Sequence, residues 1–82
     1  MNEGMLWFDN DPKRGLTDKV DRAAKYYQAK LRHRPTVCYL NAEEFDVKLE
    51  AINGVLLKPA SNIRPNYFWL GVENKAVQAK AA

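Results

Sequence analysis

Residues 17–40 read TDKVDRAAKYYQAKLRHRPTVCYL and carry the strongest structural pattern of the 82-residue chain. Apolar side chains recur at three- and four-residue spacing, which places them on one stripe of an amphipathic helix. They are Leu16, Val20, Ala23, Ala24, Tyr27 and Leu31. Thr17 can cap the first turn, and Pro35 ends the helix after a basic last turn. We therefore predict a helix over residues 17–33.

Short strands flank this helix. Met5–Phe8 is an apolar run stopped by the turn cluster at residues 9–12, and the β-rich run at residues 36–40 follows the helix directly. Strand, helix and strand in this order predict a βαβ unit whose two strands are parallel. Met5 is also an alternative natural start of the chain.

Residues 42–52 carry two competing patterns. Helical spacing of their apolar residues favours a short helix closed by Gly54. Partial alternation and the dipeptide Asn53-Gly54 favour a hairpin instead. A hairpin at that turn would place Glu50 opposite Leu57, so neither face of the strand pair would be consistently apolar. We prefer the helix, and the strand alternative stays open.

The rest of the chain completes a small domain. Residues 55–58 and 67–73 predict a third and a fourth strand, and we expect the alanine- and lysine-rich residues 74–82 to fray. The order β-α-β-α-β-β predicts one α/β (α+β) domain over residues 1–82. It should be a two-layer sandwich, with both helices on one face of a four-stranded mixed sheet.

Composition excludes several classes of protein. No apolar run is long enough to span a bilayer, and the N-terminus lacks the pattern of a signal peptide. A single cysteine excludes internal disulfides and zinc sites built from paired cysteines. We expect a cytoplasmic, non-enzymatic protein that needs no cofactor and contacts no membrane.

Alternation along the strands predicts two unlike sheet faces. One face is mostly aliphatic and suits the helix: Leu6, Phe8, Cys38, Leu40, Phe68, Leu70 and Val72. The other face collects four large aromatic side chains: Trp7, Tyr39, Tyr67 and Trp69. Two helices can cover only one face, so the aromatic face should bind another protein or form a homodimer. The alternative is a monomer whose loops cover the tryptophans.

Single-stranded nucleic acid is a second candidate ligand for the aromatic face, because aromatic side chains stack on unpaired bases. A basic flank of the helix could contact phosphates, together with one arginine from the loop before the last strand. These residues are Lys19, Arg22, Tyr26, Lys30 and Arg64. No signature of a nucleic-acid-binding module accompanies them, and solvation alone accounts for a charged helix face.

Asp9 and Asp11 follow the first strand and supply a remote alternative, a metal-assisted hydrolase. Ligands of α/β proteins bind beyond the C-terminal ends of strands, and two carboxylates there could hold Mg²⁺. A turn requires the same residue types, so the turn is the simpler interpretation.

The two ends of the chain share a signature with known sequences. Phe68-Trp69-Leu70-Gly71-Val72-Glu73, together with Leu6-Trp7-Phe8-Asp9-Asn10-Asp11, resembles a family of small, uncharacterised bacterial proteins. That family has no assigned function, so the resemblance implies a bacterial source and no activity.

Overall fold

The structure is a computed structural model that describes residues 4–73. Its elements are β1 (Gly4–Phe8), α1 (Leu16–Leu31), β2 (Val37–Asn41), β3 (Ala51–Ile52), β4 (Val55–Ala60) and β5 (Tyr67–Gly71). The strands form one sheet in the order β1-β5-β2-β4-β3. Only β2 and β4 are parallel neighbours, and the other neighbouring pairs are antiparallel. The α+β class and the mixed sheet are thus confirmed, and residues 4–73 contain five strands instead of four and one helix instead of two.

The strands β1 and β2 run in the same direction, as the βαβ pattern predicts. They are not neighbours, because β5 lies between them and is antiparallel to both. The last strand of the described residues is therefore an interior strand of the sheet, next to the β1 edge. Over residues 4–73, no helix is both long enough and apolar enough to cross a membrane.

The helix α1 begins and ends slightly earlier than predicted. Gly15 is its N-cap, in an extended conformation, and Thr17 lies inside the first turn. At the other end, Arg32 adopts a left-handed conformation with φ of 68°, and its backbone N–H donates to the Gln28 carbonyl at 2.9 Å. This bond satisfies one carbonyl of the last turn and ends the helix before Pro35.

The predicted second helix over residues 42–52 is wrong. Turns occupy residues 42–44 and 47–48, and the segment ends in the two-residue strand β3. Asn53 and Gly54 form the turn between β3 and β4, with φ of 50° and 86°. Positive φ at both positions is the geometry that an Asn-Gly hairpin turn requires.

Two features explain why the helix does not form. The Asn41 and Asp46 side chains accept hydrogen bonds from the backbone N–H groups two residues later, at 2.8 and 2.9 Å, and so stabilise turns. The β3–β4 pairing involves only two residues on each strand. Glu50 and Leu57 continue the same register, and the Leu57 N–H donates to the Glu50 carbonyl at 2.8 Å. Glu50 is exposed while Leu57 is buried, so their unlike side chains do not prevent the hairpin.

The core lies between α1 and one face of the sheet. Its buried residues are Val20, Ala23, Ala24, Tyr27, Cys38, Leu40, Ile52, Val55, Leu57, Phe68 and Leu70. Phe45 and Leu49 from the segment before β3 also pack against this cluster. Their apolar character therefore contributes to the core, although the segment is not helical.

The hairpin turn at Asn53 is fastened to the helix layer. The Asn53 side-chain amide donates to Asp21 Oδ1 at 2.8 Å, and Arg34 donates to the Asn53 carbonyl at 2.9 Å. The hydrogen bond from Asn53, with a second contribution from Lys25, lowers the pKa of the Asp21 carboxyl. The β3 edge of the sheet is consequently held by side chains of α1 and of the segment that follows it.

Burial of Cys38 predicts a specific pH dependence of stability. Burial raises the pKa of its thiol from 9.0 to about 12. Between these two values the thiol ionises in the unfolded chain but not in the folded one. The free energy of unfolding should therefore fall by about 1.4 kcal/mol per pH unit more than in Cys38→Ala. Denaturant titrations of both proteins from pH 8 to about pH 11 measure this difference, and parallel profiles would contradict it.

Candidate functional site

The sheet face opposite α1 is the candidate site, and it is called the open face below. Its side chains follow from the strand registers: Leu6, Phe8, Val37, Tyr39, Leu56, Lys58, Tyr67 and Trp69. Leu6 and Phe8 are 57% and 51% exposed. Among the described residues, no helix lies against this face, which runs from β1 through β5 and β2 to β4.

Three of the four predicted aromatic residues share this face, and Trp7 does not. Trp7 lies opposite Phe68, which is buried in the core. It packs against the core cluster, and its ring centroid is 5.1 Å from that of Tyr26 on α1. The predicted face of β1 was therefore inverted. Leu6 and Phe8 occupy the open face in its place.

Cross-strand ring pairs organise the open face. Phe8 and Tyr67 face each other with ring centroids 4.8 Å apart, and Tyr39 and Trp69 do so at 5.9 Å. Tilted pairs at these distances are favourable aromatic contacts. The Trp69 ring also extends over Gly4, where a Cβ atom would overlap it. Glycine at this position therefore allows the Trp69 ring to lie against the backbone of β1.

The loop at residues 61–66 forms a rim beside the open face. The Asn41 side chain donates to the Ile63 carbonyl at 2.9 Å and fixes the middle of the loop. At its end, the Asn66 carbonyl accepts from the Asp9 backbone N–H at 3.0 Å, and the Asn66 N–H donates to Glu44 at 3.1 Å. These bonds hold the loop in place before any partner binds.

Two shallow depressions lie where this rim meets the open face. One has a volume of about 290 Å³ and is lined by Leu6, Asn62, Ile63, Arg64 and Tyr67. The other has a volume of about 310 Å³ and is lined by Tyr39, Ala60, Asn62, Ile63 and Trp69. They share Asn62 and Ile63, so they are adjacent. Each is at the small end of the range for ligand pockets, a size that suits single side chains of a partner.

The two cationic side chains beside the open face, Lys58 and Arg64, differ in whether an acidic side chain already pairs with them. Lys58 Nζ contacts both carboxylate oxygens of Glu73, at 2.8 and 3.1 Å, and this hydrogen bonding raises the pKa of Lys58. The Tyr39 hydroxyl donates to the same carboxylate at 3.5 Å. Arg64 is exposed and forms no ion pair within residues 4–73. Arg64 is thus the cation of this face that can bind an anionic group.

The predicted basic flank lies on the other side of the sheet. Lys19, Arg22, Tyr26 and Lys30 belong to α1, which packs on the helix-facing side. Arg22 forms an ion pair with Asp18 at 3.5 Å, and Lys30 Nζ lies 5.6 Å from the centre of the Tyr26 ring. The fold does not bring this flank next to the open face, where Arg64 alone of the predicted basic residues lies.

The loop that contains Asp9 and Asp11 is organised around Arg14. Asp9 is buried, and its carboxylate accepts the Asp11 backbone N–H at 3.0 Å. Arg14 lies 3.4 Å from Asp9 and 3.2 Å from Asp11, so a guanidinium already balances both carboxylates. Over the described residues, no group of three or more metal-ligating side chains forms. This geometry supports the turn interpretation of the loop.

Comparison with protein-family models, with curated proteins and with solved structures finds no match to this chain. The resemblance of its two ends to uncharacterised bacterial proteins stays a prediction. The function of the chain therefore has to be inferred from the geometry of the open face.

The contact between Gly4 and Trp69 can be tested by substitution. In a Trp7→Phe background, where Trp69 is the only tryptophan, Gly4→Ala should displace the indole ring into solvent and shift its emission to the red. We expect a loss of about 1–3 kcal/mol in the free energy of unfolding. Gly15→Ala is the matched control, because its Cβ would meet open space. An unchanged emission in Gly4→Ala would contradict the described contact.

Proposed function

We propose that the chain is a non-enzymatic binding module whose open face takes an extended segment of a protein partner. One observation carries the proposal: Leu6 and Phe8 remain 57% and 51% exposed beside a set of half-buried aromatic residues. Burying apolar surface contributes about 25 cal/mol per Å², so a partner that covers these side chains gains free energy. Contiguous exposed apolar surface of this kind is typical of interaction sites.

The shape of the face favours an extended segment over a folded surface. Alternate side chains of an extended segment point the same way and lie about 7 Å apart. Two adjacent depressions, which share Asn62 and Ile63 in their lining, can each take one such side chain. The ring of Tyr67 lines one depression and that of Trp69 lines the other, and tyrosine and tryptophan are the residues that most often anchor a partner.

The charge of the face favours an acidic partner. Lys58 is already bonded to Glu73, whereas Arg64 lines one depression and is exposed. A carboxylate next to an apolar side chain in the partner would complement this arrangement. Because Arg64 lies at the rim, we expect it to set the salt dependence of binding more than the total affinity.

Cys38 and Asp9, two of the groups considered for chemistry, have structural roles, which is consistent with a binding role. Cys38 is buried and its thiol pKa is raised to about 12, so it supplies no thiolate at neutral pH. Asp9 is held by Arg14 and by a backbone N–H.

Selection from a library of linear peptides displayed on phage tests the proposal. We expect enriched peptides that combine apolar side chains two residues apart with an Asp or Glu. Tyr67→Ser should weaken their binding at least about tenfold, since it removes the wall of one depression. Arg64→Gln should reduce the dependence of binding on salt.

Val47→Ser is the matched control for this experiment. Val47 is 72% exposed, lies in a turn between β2 and β3 and lines neither depression, so its replacement should leave peptide binding unchanged. The proposal fails if no sequence is enriched, or if the enriched peptides bind Tyr67→Ser as tightly as the original protein.

Nucleic acid binding is the alternative function, and quenching of Trp69 by an oligonucleotide tests it. Since the basic flank of α1 and the open face lie on opposite sides of the sheet, we expect an oligonucleotide to cause no salt-sensitive quenching of Trp69. The measurement is a titration of Trp7→Phe with oligo-dT at low and high salt. Strong quenching that weakens steeply with added salt would instead assign the open face to single-stranded nucleic acid.

A further inference from the structure

The two edges of the sheet differ in how they are protected. The β3 edge has only two residues, and its turn is fastened to Asp21 and Arg34. The β1 edge has five residues, Gly4-Met5-Leu6-Trp7-Phe8, with neither a charged side chain nor a proline. Sheet edges are usually protected by charges, prolines, bulges or short strands, and an apolar edge without them tends to pair with another strand.

The backbone groups of β1 that point away from the sheet can be identified from the register. The Asp9 N–H donates to Asn66 on the β5 side. Because backbone groups alternate along an antiparallel strand, the N–H and C=O groups of Gly4, Leu6 and Phe8 point outward. Leu6 lies opposite Trp69, and by the same alternation this is a non-hydrogen-bonded pair.

We propose that two copies of the chain pair through β1 as antiparallel strands, with a two-fold axis at Leu6. In this register Leu6 of one copy lies opposite Leu6 of the other, and Gly4 lies opposite Phe8. The outward-pointing groups of Gly4, Leu6 and Phe8 then match those of the second copy and form about six backbone hydrogen bonds. The set is self-complementary, as a two-fold contact requires.

Side chains agree with this register. Leu6 and Phe8, the exposed apolar residues of β1, would pack across the new strand pair on the open-face side. Gly4 has no side chain to oppose Phe8 of the second copy, and the Trp69 ring lies beside it as a further aromatic surface. Each copy has a net charge of +3, but β1 itself has no charged side chain. The strand pair therefore brings no like-charged side chains of β1 together.

The proposed contact between the two β1 strands is small, and its area limits the expected affinity of the dimer. A five-residue edge with two side chains per copy buries less than the ~1,200 Å² of a standard stable interface. We therefore expect a dimer that forms only as the concentration rises. Pairing would join two five-stranded sheets into a single one, so that the two open faces become one surface. The dimer concerns the strand edge, and it does not depend on the function proposed for the open face.

Sedimentation velocity over a concentration series, with Leu6→Pro compared to Leu6→Ala, tests the proposal. Both variants lose the leucine side chain, but only proline removes the outward-pointing N–H, which has no partner in the sheet of the monomer. Proline is tolerated at such edge positions. Leu6→Ala should still dimerise, whereas Leu6→Pro should dissociate about 30-fold more readily, since two hydrogen bonds are lost per dimer. Circular dichroism of both variants confirms that the monomer remains folded.

Amide hydrogen exchange of the unmodified chain locates the contact. Protection of the Leu6 and Phe8 amides that rises with protein concentration would support pairing through β1. The proposal is overturned if the chain stays monomeric throughout. It is also overturned if a dimer forms equally in Leu6→Pro and Leu6→Ala, particularly if Tyr67→Ser then abolishes it, because that dimer would use the open face.

Discussion

A single helix of sixteen residues has to close a sheet of five strands. A helix with its side chains is about 10–12 Å across, whereas five strands at about 4.8 Å spacing extend over roughly 19 Å between the outer two. The helix therefore cannot cover even its own side of the sheet alone. Phe45 and Leu49, from the turns before β3, complete the core on that side together with Trp7 from β1. Within the described residues, no second helix is left to cover the opposite face.

Because no described helix covers the open face, buried and half-exposed side chains lie mostly on different sides of the sheet. Most fully buried residues, with Tyr27 and Phe68 the largest of them, lie in the layer between helix and sheet, and Val37 is the fully buried residue of the open face. The open face keeps its aromatic residues half-exposed and stabilises them by ring pairs, such as Tyr39 with Trp69, instead of by a covering layer. The loop fixed by Asn41 and the ring pairs are already in place, so the proposed binding would carry a smaller cost of ordering these side chains.

The parts of the structure that the sequence predicts correctly have local causes. Helical spacing in α1 and the runs of β-forming residues in β2 and β5 are each visible within a few residues. The face of β1 was not predictable in this way, because Met5 and Trp7 are as apolar as Leu6 and Phe8, so alternation gives no contrast. The prediction of a second helix over residues 42–52 is wrong for a different reason. Phe45 and Leu49 are apolar because they pack against the core, and a segment with turns places them there without forming a helix. The opposite placement of Arg64 and the basic flank depends on strand order, which no local pattern specifies.

The inverted face of β1 changes what the first strand does for the molecule. With Trp7 on the open face, Leu6 and Phe8 would have lain on the helix side of this edge. With Trp7 turned inward, its ring and that of Tyr26 close the helix side of the edge, 5.1 Å apart. Leu6 and Phe8 then carry the apolar surface of the open face out to the free edge of the sheet. The same choice of face for β1 thus completes the core and places an uncharged, apolar strand at the sheet edge beside the candidate site.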